Sequence, residues 1–395
     1  MLYQVFPQKW RENSLSFWLL LYITGVSIAI LYAPQPLLPD MRASFGVSEA
    51  TTSLLTSLSL LPLGFAPIVY GAILGNISAR KMLLCSVFLL LLSGIPLCLS
   101  QSFTLLAVTR ILQGLTLPAV FTAVMTQLAK QSEGERQMRA ITCFVGITIA
   151  GSLCGRIAAG VLASCCGWRI SLLLISLSLV PALPLLFTMP DSHSSFTRIT
   201  GQDFVTALRH PGIRLMLFIE FWGFFVFCSV TNCLPFRMTE LSSESTSLMT
   251  SLFYSGYGIG IIFSFMSPRI IRLFGGKART ITCGTIIYLC SILLLPVGSM
   301  PLLFVTMWLI CTGQYLEHCI GPGLINQMSS LDKGVINGLY LSFYYAGGSI
   351  GSYVSVWVYG HLGWGACVAM LAMILLMMLI AVFHVRKYIA AMPQK

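Results

Sequence analysis

Charge is scarce in this chain: Asp, Glu, Lys and Arg make up 9% of its 395 residues, and only twelve residues are acidic. A water-soluble domain carries roughly a quarter charged residues. With 56% hydrophobic residues, the chain has too little polar surface to face water, and lipid is its natural solvent. A Gly-x-x-x-x-Gly-Lys-Ser/Thr loop is also missing, which argues against a self-contained ATP-driven pump. No nucleophile-base pair and no metal-ligand spacing occurs, so neither an intramembrane enzyme, a bound metal nor another cofactor is expected. Most of the thirteen cysteines, among them Cys85, Cys143, Cys154, Cys283 and Cys290, sit in apolar runs, where a thiol is a small apolar side chain. The first apolar run lacks a small-residue cleavage site and reads as an uncleaved first helix.

What the chain does have is repeated apolar runs of about 20 residues, the length that crosses roughly 30 Å of hydrocarbon at 1.5 Å per helical residue. They predict an all-α membrane protein with twelve transmembrane helices at Leu15–Leu38, Thr51–Leu74, Met82–Leu99, Leu105–Leu128, Ile141–Leu162, Ile170–Phe187, Leu215–Leu234, Ser247–Phe265, Thr280–Val297, Leu302–Leu324, Val335–Val358 and Trp364–Phe383. With the amino terminus inside, eighteen Lys and Arg fall in cytoplasmic loops and termini, against Arg42, Arg169 and Arg237 outside. Both termini are thus expected in the cytoplasm. The net charge of +11 is spread thinly over the inner loops, so it points to topology and anionic lipid and not to a nucleic-acid partner.

A polar stretch, Pro190–Pro211, divides the spans six and six. The expected organisation is an N-terminal six-helix bundle at 1–188, a cytoplasmic linker at 189–211 and a C-terminal six-helix bundle at 212–395. The halves echo each other. Ser78-Ala79-Arg80-Lys81 after helix two matches Arg272, Gly275, Gly276, Lys277 and Arg279 after helix eight. Gly146, Gly151, Gly155 and Gly160 on helix five match Gly347, Gly348 and Gly351 on helix eleven. A six-plus-six parallel repeat is one arrangement of secondary transporters.

Further stretches carry a resemblance. Arg110-Ile-Leu-Gln113-Gly114 stands on helix four, and Tyr32-Ala-Pro34-Gln35-Pro36-Leu-Leu-Pro39 is followed by Phe45-Gly46-Val47-Ser48. Then come Gly151-Ser-Leu-Cys-Gly155-Arg156, Gly167-Trp168-Arg169, Asn232-Cys-Leu-Pro235-Phe-Arg237, the His318 region and Leu339-Tyr340-Leu-Ser-Phe-Tyr344-Tyr345-Ala-Gly347-Gly348-Ser349. Over essentially its whole length the chain resembles the major facilitator superfamily, and within it the YnfM-type branch of the drug/proton antiporter group. The resemblance implies the major facilitator fold, rocker-switch alternating access, and a cavity from which helices three, six, nine and twelve stand apart. The loop after helix two departs from the family pattern, with Gly75 at the acid position. Gly71, Gly75, Arg80 and Lys81 there, with Gly151, Gly155, Gly347 and Gly351 on helices five and eleven, are the gating candidates.

Ionisable side chains in hydrocarbon cost about 2.5–3.5 kcal/mol each on insertion scales. Five lie within predicted spans: Arg110, Arg156, Glu220, Glu317 and His318. Glu220 is the first choice for a proton carrier, because a carboxyl in a low-dielectric wall can take up and release a proton near neutral pH; pairing with Arg214 is the plainer alternative. Glu317 and His318 are adjacent and point about 100° apart on a helix. His318 is a proton relay, a substrate donor or an interhelical hydrogen-bonding group. Arg110 either biases a neighbouring acid, holds a substrate anion or anchors helix packing. Arg156 is read as a substrate group or as a side chain reaching the outer surface. Gln35, Asn232, Gln314, Tyr340, Tyr344 and Tyr345 supply hydrogen bonds and aromatic faces for a small solute.

The expected function is proton-coupled efflux of a small organic solute, drug-like, metabolite or metal chelate, by a monomer in the bacterial inner membrane. Two other readings stand beside it: an importer or facilitator of an organic anion, with Arg110 and Arg156 as the clamp, and a non-transporting sensor or scaffold, motivated by Gly75.

Overall fold

Once water is gone, an apolar run can satisfy its backbone N–H and C=O groups only within its own helix. The computed structural model describes residues 10–73, 77–131, 135–189, 201–242, 246–329, 331 and 333–390. In chain order these form α1 (Trp10–Tyr32), α2 (Leu38–Phe45), α3 (Glu49–Ile73), α4 (Ala79–Leu99), α5 (Phe103–Gln131), α6 (Glu135–Leu177), α7 (Ala182–Phe187), α8 (Gly201–Arg209), α9 (Pro211–Leu241), α10 (Ser247–Phe253), α11 (Tyr257–Leu273), α12 (Lys277–Leu294), α13 (Met300–His318), α14 (Gly321–Gln327) and α15 (Lys333–Ala390). Among the described residues, eight helical stretches are long and apolar enough to cross a bilayer.

Two of those stretches, Arg139–Phe187 and Lys333–Ala390, run to 49 and 58 residues, more than twice the roughly 20 that one crossing needs. Each changes direction at a glycine in a conformation that L side chains rarely adopt: Gly167 (φ 80°, ψ 160°) in α6 and Gly363 (φ 83°, ψ 170°) in α15. A tryptophan follows each bend and ties it to a neighbour. Trp168 donates its indole N–H to Ser44 Oγ at 2.8 Å, and Trp364 donates to the Leu295 carbonyl at 3.0 Å.

Several expected spans are interrupted. The run Leu15–Leu38 stops as helix at Tyr32, passes through a 3₁₀ turn at Gln35–Leu37 and resumes as α2, because Pro34, Pro36 and Pro39 lack the N–H groups a continuous helix would use. The run Leu302–Leu324 breaks between α13 and α14, with Pro322 in the first turn of the second piece. A second 3₁₀ turn, Tyr254–Gly256, divides α10 from α11. The expected linker 189–211 contains a helix, α8, while 190–200 lies outside the described residues.

The glycines expected to gate on helices five and eleven lie at close helix contacts. Gly151 and Gly155 on α6 lie against Gly25 and Ala29 of α1, and Gly347 and Gly351 on α15 lie against the main chain at Phe221 and Phe225 of α9. They seat neighbouring helices on the same side of the 190–200 segment, where small residues let backbones approach closely. Contacts across that segment use other small residues. Ser57 Oγ donates to the Ser349 carbonyl at 2.7 Å and Ser349 Oγ to the Ser57 carbonyl at 2.9 Å, Gly64 faces Ser342, and Gly160 faces Ser247 and Ser251. Asp40 joins them, accepting from Ser247 Oγ at 2.5 Å. Of the loop candidates, Arg80 Nη1 donates to the Met189 carbonyl at 3.2 Å and Lys81 N–H donates to the capping Ser78 Oγ at 3.2 Å. Gly71 lies in α3, and Gly75 falls outside the described residues.

Gly351→Ala is expected to destabilise the protein by about 1–3 kcal/mol, since the new Cβ meets the Phe225 carbonyl. Gly258→Ala is expected to stabilise by about 0.5–1 kcal/mol, because a Cβ there has no heavy atom within 4 Å. Unfolding midpoints of the purified variants in detergent check the pair; equal midpoints would contradict the packing.

Candidate functional site

Two polar clusters are built into the helices, and each begins at a break. Where α13 ends, Glu317 and His318 separate as adjacent helical residues must. Glu317 turns to α12 and accepts a hydrogen bond from Thr285 Oγ1, while His318 turns to α15. There Tyr340 Oη lies 2.9 Å from His318 Nδ1 and donates to Glu220 Oε2 at 2.8 Å. With the hydroxyl proton on the Glu220 side, His318 must donate through Nδ1–H to the Tyr340 oxygen. Glu220 and His318 are themselves 3.8 Å apart, Oε2 to Nδ1.

Glu220 is 2% exposed, and its second oxygen, Oε1, has no hydrogen-bond partner among the described residues. That oxygen packs against Gly321, the first residue of α14, where any Cβ would collide with it. The helix break thus makes room for the carboxyl. Tyr344, one turn after Tyr340, stacks on the His318 ring at 4.7 Å and on Phe224 at 3.7 Å. Gln314, one turn before His318, is buried with Oε1 unpartnered among the described residues.

The second cluster surrounds Arg156 on α6, which is fully buried. Its Nε and Nη2 donate to Gln35 Oε1 at 2.8 and 2.6 Å, Nη1 donates to the Ser152 carbonyl at 2.9 Å and to Ser152 Oγ, and Nη2 donates to Tyr257 Oη at 3.0 Å. The rings of Tyr32, Tyr257 and Tyr254 face the guanidinium at 4.3, 4.4 and 4.9 Å, a cation–π cage. Gln35, presented by the proline-made turn after α1, donates Nε2 to Thr231 Oγ1 and Asn232 Oδ1 on α9, both at 3.0 Å. Arg156, Gln35 and Asn232 therefore bridge helices from both sides of the 190–200 segment, and Asn232 Nδ2 is left buried without a partner among the described residues.

Arg110 does not join either cluster. Its five hydrogen bonds go to the carbonyls of Leu55, Ile30 and Leu31 at 2.8, 3.4 and 2.5 Å, to Ser59 Oγ at 2.8 Å and to Gln113 Oε1 at 2.5 Å. All of these belong to α1, α3 and α5, so Arg110 makes the contacts of the packing anchor that the sequence offered beside a coupling or a substrate role. Sequence reasoning missed Tyr32, Tyr254, Tyr257 and Thr285 as site residues. Tyr254 and Tyr257 carry a signal that was available, since residues three apart share a helix face.

A sequence model described as Major Facilitator Superfamily matches residues 19–314. The chain belongs to the major facilitator superfamily. It is accordingly an integral, multi-pass membrane protein of a transporter family. Proteins similar to it include the "Inner membrane transport protein YnfM" of Escherichia coli (strain K12), 24% identical over 369 residues, covering 92% of this chain and 88% of the relative. The "Uncharacterized MFS-type transporter YybF" of Bacillus subtilis (strain 168) is 23% identical over 363 residues, covering 89% of each chain. An "Uncharacterized transporter" of Buchnera aphidicola subsp. Schizaphis graminum (strain Sg) is 20% identical over 379 residues, covering 93% of this chain and 90% of the relative.

Proposed function

We propose that the chain is a proton-coupled exporter of a small organic solute in the bacterial inner membrane. In this reading it crosses the bilayer twelve times with both termini in the cytoplasm, as two six-helix bundles, 1–188 and 212–395, that rock about the site between them. The bends at Gly167 and Gly363 support the count, since each divides one overlong helix into two crossings. The similarity to an inner membrane transport protein of Escherichia coli supports the choice of membrane.

The observation that carries the reading is Glu220. A buried carboxyl with one oxygen bonded to Tyr340 and the other unbonded among the described residues has an open position for a proton. The Tyr340 hydroxyl can donate to one neighbour while accepting from the other, so it links Glu220 to His318 as a relay. Protons entering from outside bind Glu220 and favour the state that releases solute outward; their departure inward resets the site. The driving force is the membrane potential, about 2.3 kcal/mol per charge per 100 mV, plus the pH gradient.

The test starts from the solute that builds up in cells lacking this chain. Its uptake into everted membrane vesicles should be driven by an inside-acid pH gradient and collapsed by a protonophore. Uptake indifferent to both would overturn the proposal.

A further inference from the structure

Burying a guanidinium is costly unless an anion or a full set of acceptors accompanies it. Among the described residues no carboxylate lies within ion-pair distance of Arg156; its acceptors are neutral oxygens of Gln35, Ser152 and Tyr257, and its remaining faces meet aromatic rings. Arg110 too has no acid beside it among the described residues, but three of its five acceptors are main-chain carbonyls fixed in helices. Of the three residues accepting from Arg156, Ser152 adds a main-chain carbonyl to its hydroxyl, whereas Gln35 and Tyr257 accept through side-chain oxygens alone, which can swing away. Gln35 Oε1 takes two N–H groups of one guanidinium edge, the position that one oxygen of a docked carboxylate would fill. Beside it, the buried Asn232 Nδ2 is a donor with no acceptor among the described residues.

Resting on the transport reading above, we infer that the solute is an organic anion, a carboxylate on a flat apolar body, whose oxygens dock on Arg156 by displacing Gln35 Oε1. The Asn232 amide donates to it, and the apolar body lies among Tyr32, Tyr254 and Tyr257, behind which Phe227 and Tyr315 extend the aromatic wall, 5.3 and 6.1 Å from Tyr257. Displacement also has a mechanical consequence. Gln35 holds Arg156 with its oxygen and Thr231 and Asn232 with its nitrogen, so an anion that takes over Arg156 loosens the tie between α6 and α9.

The test is a binding titration on the purified full-length protein in detergent at one fixed pH, with no gradient present. Benzoate, 4-hydroxybenzoate and indole-3-acetate are compared with their primary amides by thermal shift and tryptophan fluorescence. At least one carboxylate should bind and its amide should not, and Arg156→Gln should weaken the carboxylate by at least about tenfold, as expected for lost charge-assisted hydrogen bonds. Gln35→Leu, which keeps Arg156 and guards against an unfolded Arg156→Gln protein, should tighten carboxylate binding several-fold by removing the internal competitor. Failure of all three carboxylates, equal binding of the amides, undiminished binding by a folded Arg156→Gln, or unchanged or weaker binding by Gln35→Leu would overturn the inference. Because no proton gradient enters, these outcomes are read separately from proton coupling, which the vesicle experiment decides.

Discussion

Glu220→Gln is expected to remove proton-driven accumulation altogether while leaving the fold intact. The amide is nearly the size of the carboxyl, its oxygen can still accept from Tyr340 Oη, now 2.8 Å from Glu220 Oε2, and it still fits against Gly321. What it cannot do is exchange a proton. With an imposed gradient of one pH unit and no potential, one coupled proton sustains up to about a tenfold concentration ratio, because a pH unit is worth about 1.4 kcal/mol. In vesicles carrying Glu220→Gln the ratio should fall to about one, with an unfolding midpoint close to that of the parent. Tyr340→Phe breaks the link to His318 but keeps the carboxyl, so it should slow the approach to the plateau and leave the plateau itself in place. Accumulation by Glu220→Gln equal to the parent would remove Glu220 from the coupling path.

The helices were readable because their signal is local. Apolar length places α4, α5 and α12 within a few residues of the expected Met82–Leu99, Leu105–Leu128 and Thr280–Val297. Helix α9 outruns the expected Leu215–Leu234 at both ends, since the His210 ring caps its start by accepting from Ile213 N–H, and Arg237 and Glu240 pair on its last turns. Hydropathy measures the hydrocarbon thickness and not where the helix stops. The breaks were in view as Pro34, Pro36 and Pro322, yet a long apolar run masks them. The candidate site was half legible. The cost of a buried ion picked out Glu220, Arg156 and His318 from the sequence, but which rings enclose Arg156 depends on how α1, α6 and α11 cross. The same holds for Arg110: a buried arginine advertises a need for acceptors, and only the packing tells whether a carboxylate, a solute or main chain meets it.

Arg110→Leu is expected to cost about 3 kcal/mol of stability, and the reason lies in the turn that delivers Gln35. In an uninterrupted helix the Ile30 carbonyl would accept from the N–H of residue 34, but residue 34 is proline and has none. Arg110 Nη1 and Nη2 reach the Ile30 and Leu31 carbonyls at that frayed end, and the same side chain holds Leu55, Ser59 and Gln113. Leucine removes the buried charge but leaves the Ile30 carbonyl without a donor, while the Leu55 carbonyl keeps its N–H partner within α3, so the loss lies near the upper end of the about 1–3 kcal/mol for one acceptor left without a partner. Arg110→Lys should recover only part of the loss, since an ammonium offers three donors from one point and cannot span the fork. The decisive measurement is a double-mutant cycle with Pro34→Ala, which restores an N–H opposite the Ile30 carbonyl. In the parent background Pro34→Ala should be neutral or destabilising, and in the Arg110→Leu background it should return part of the lost stability. Strict additivity of the two unfolding midpoints would show that Arg110 does not support the turn, and its binding oxygens would then have to be explained by something other than the proline break.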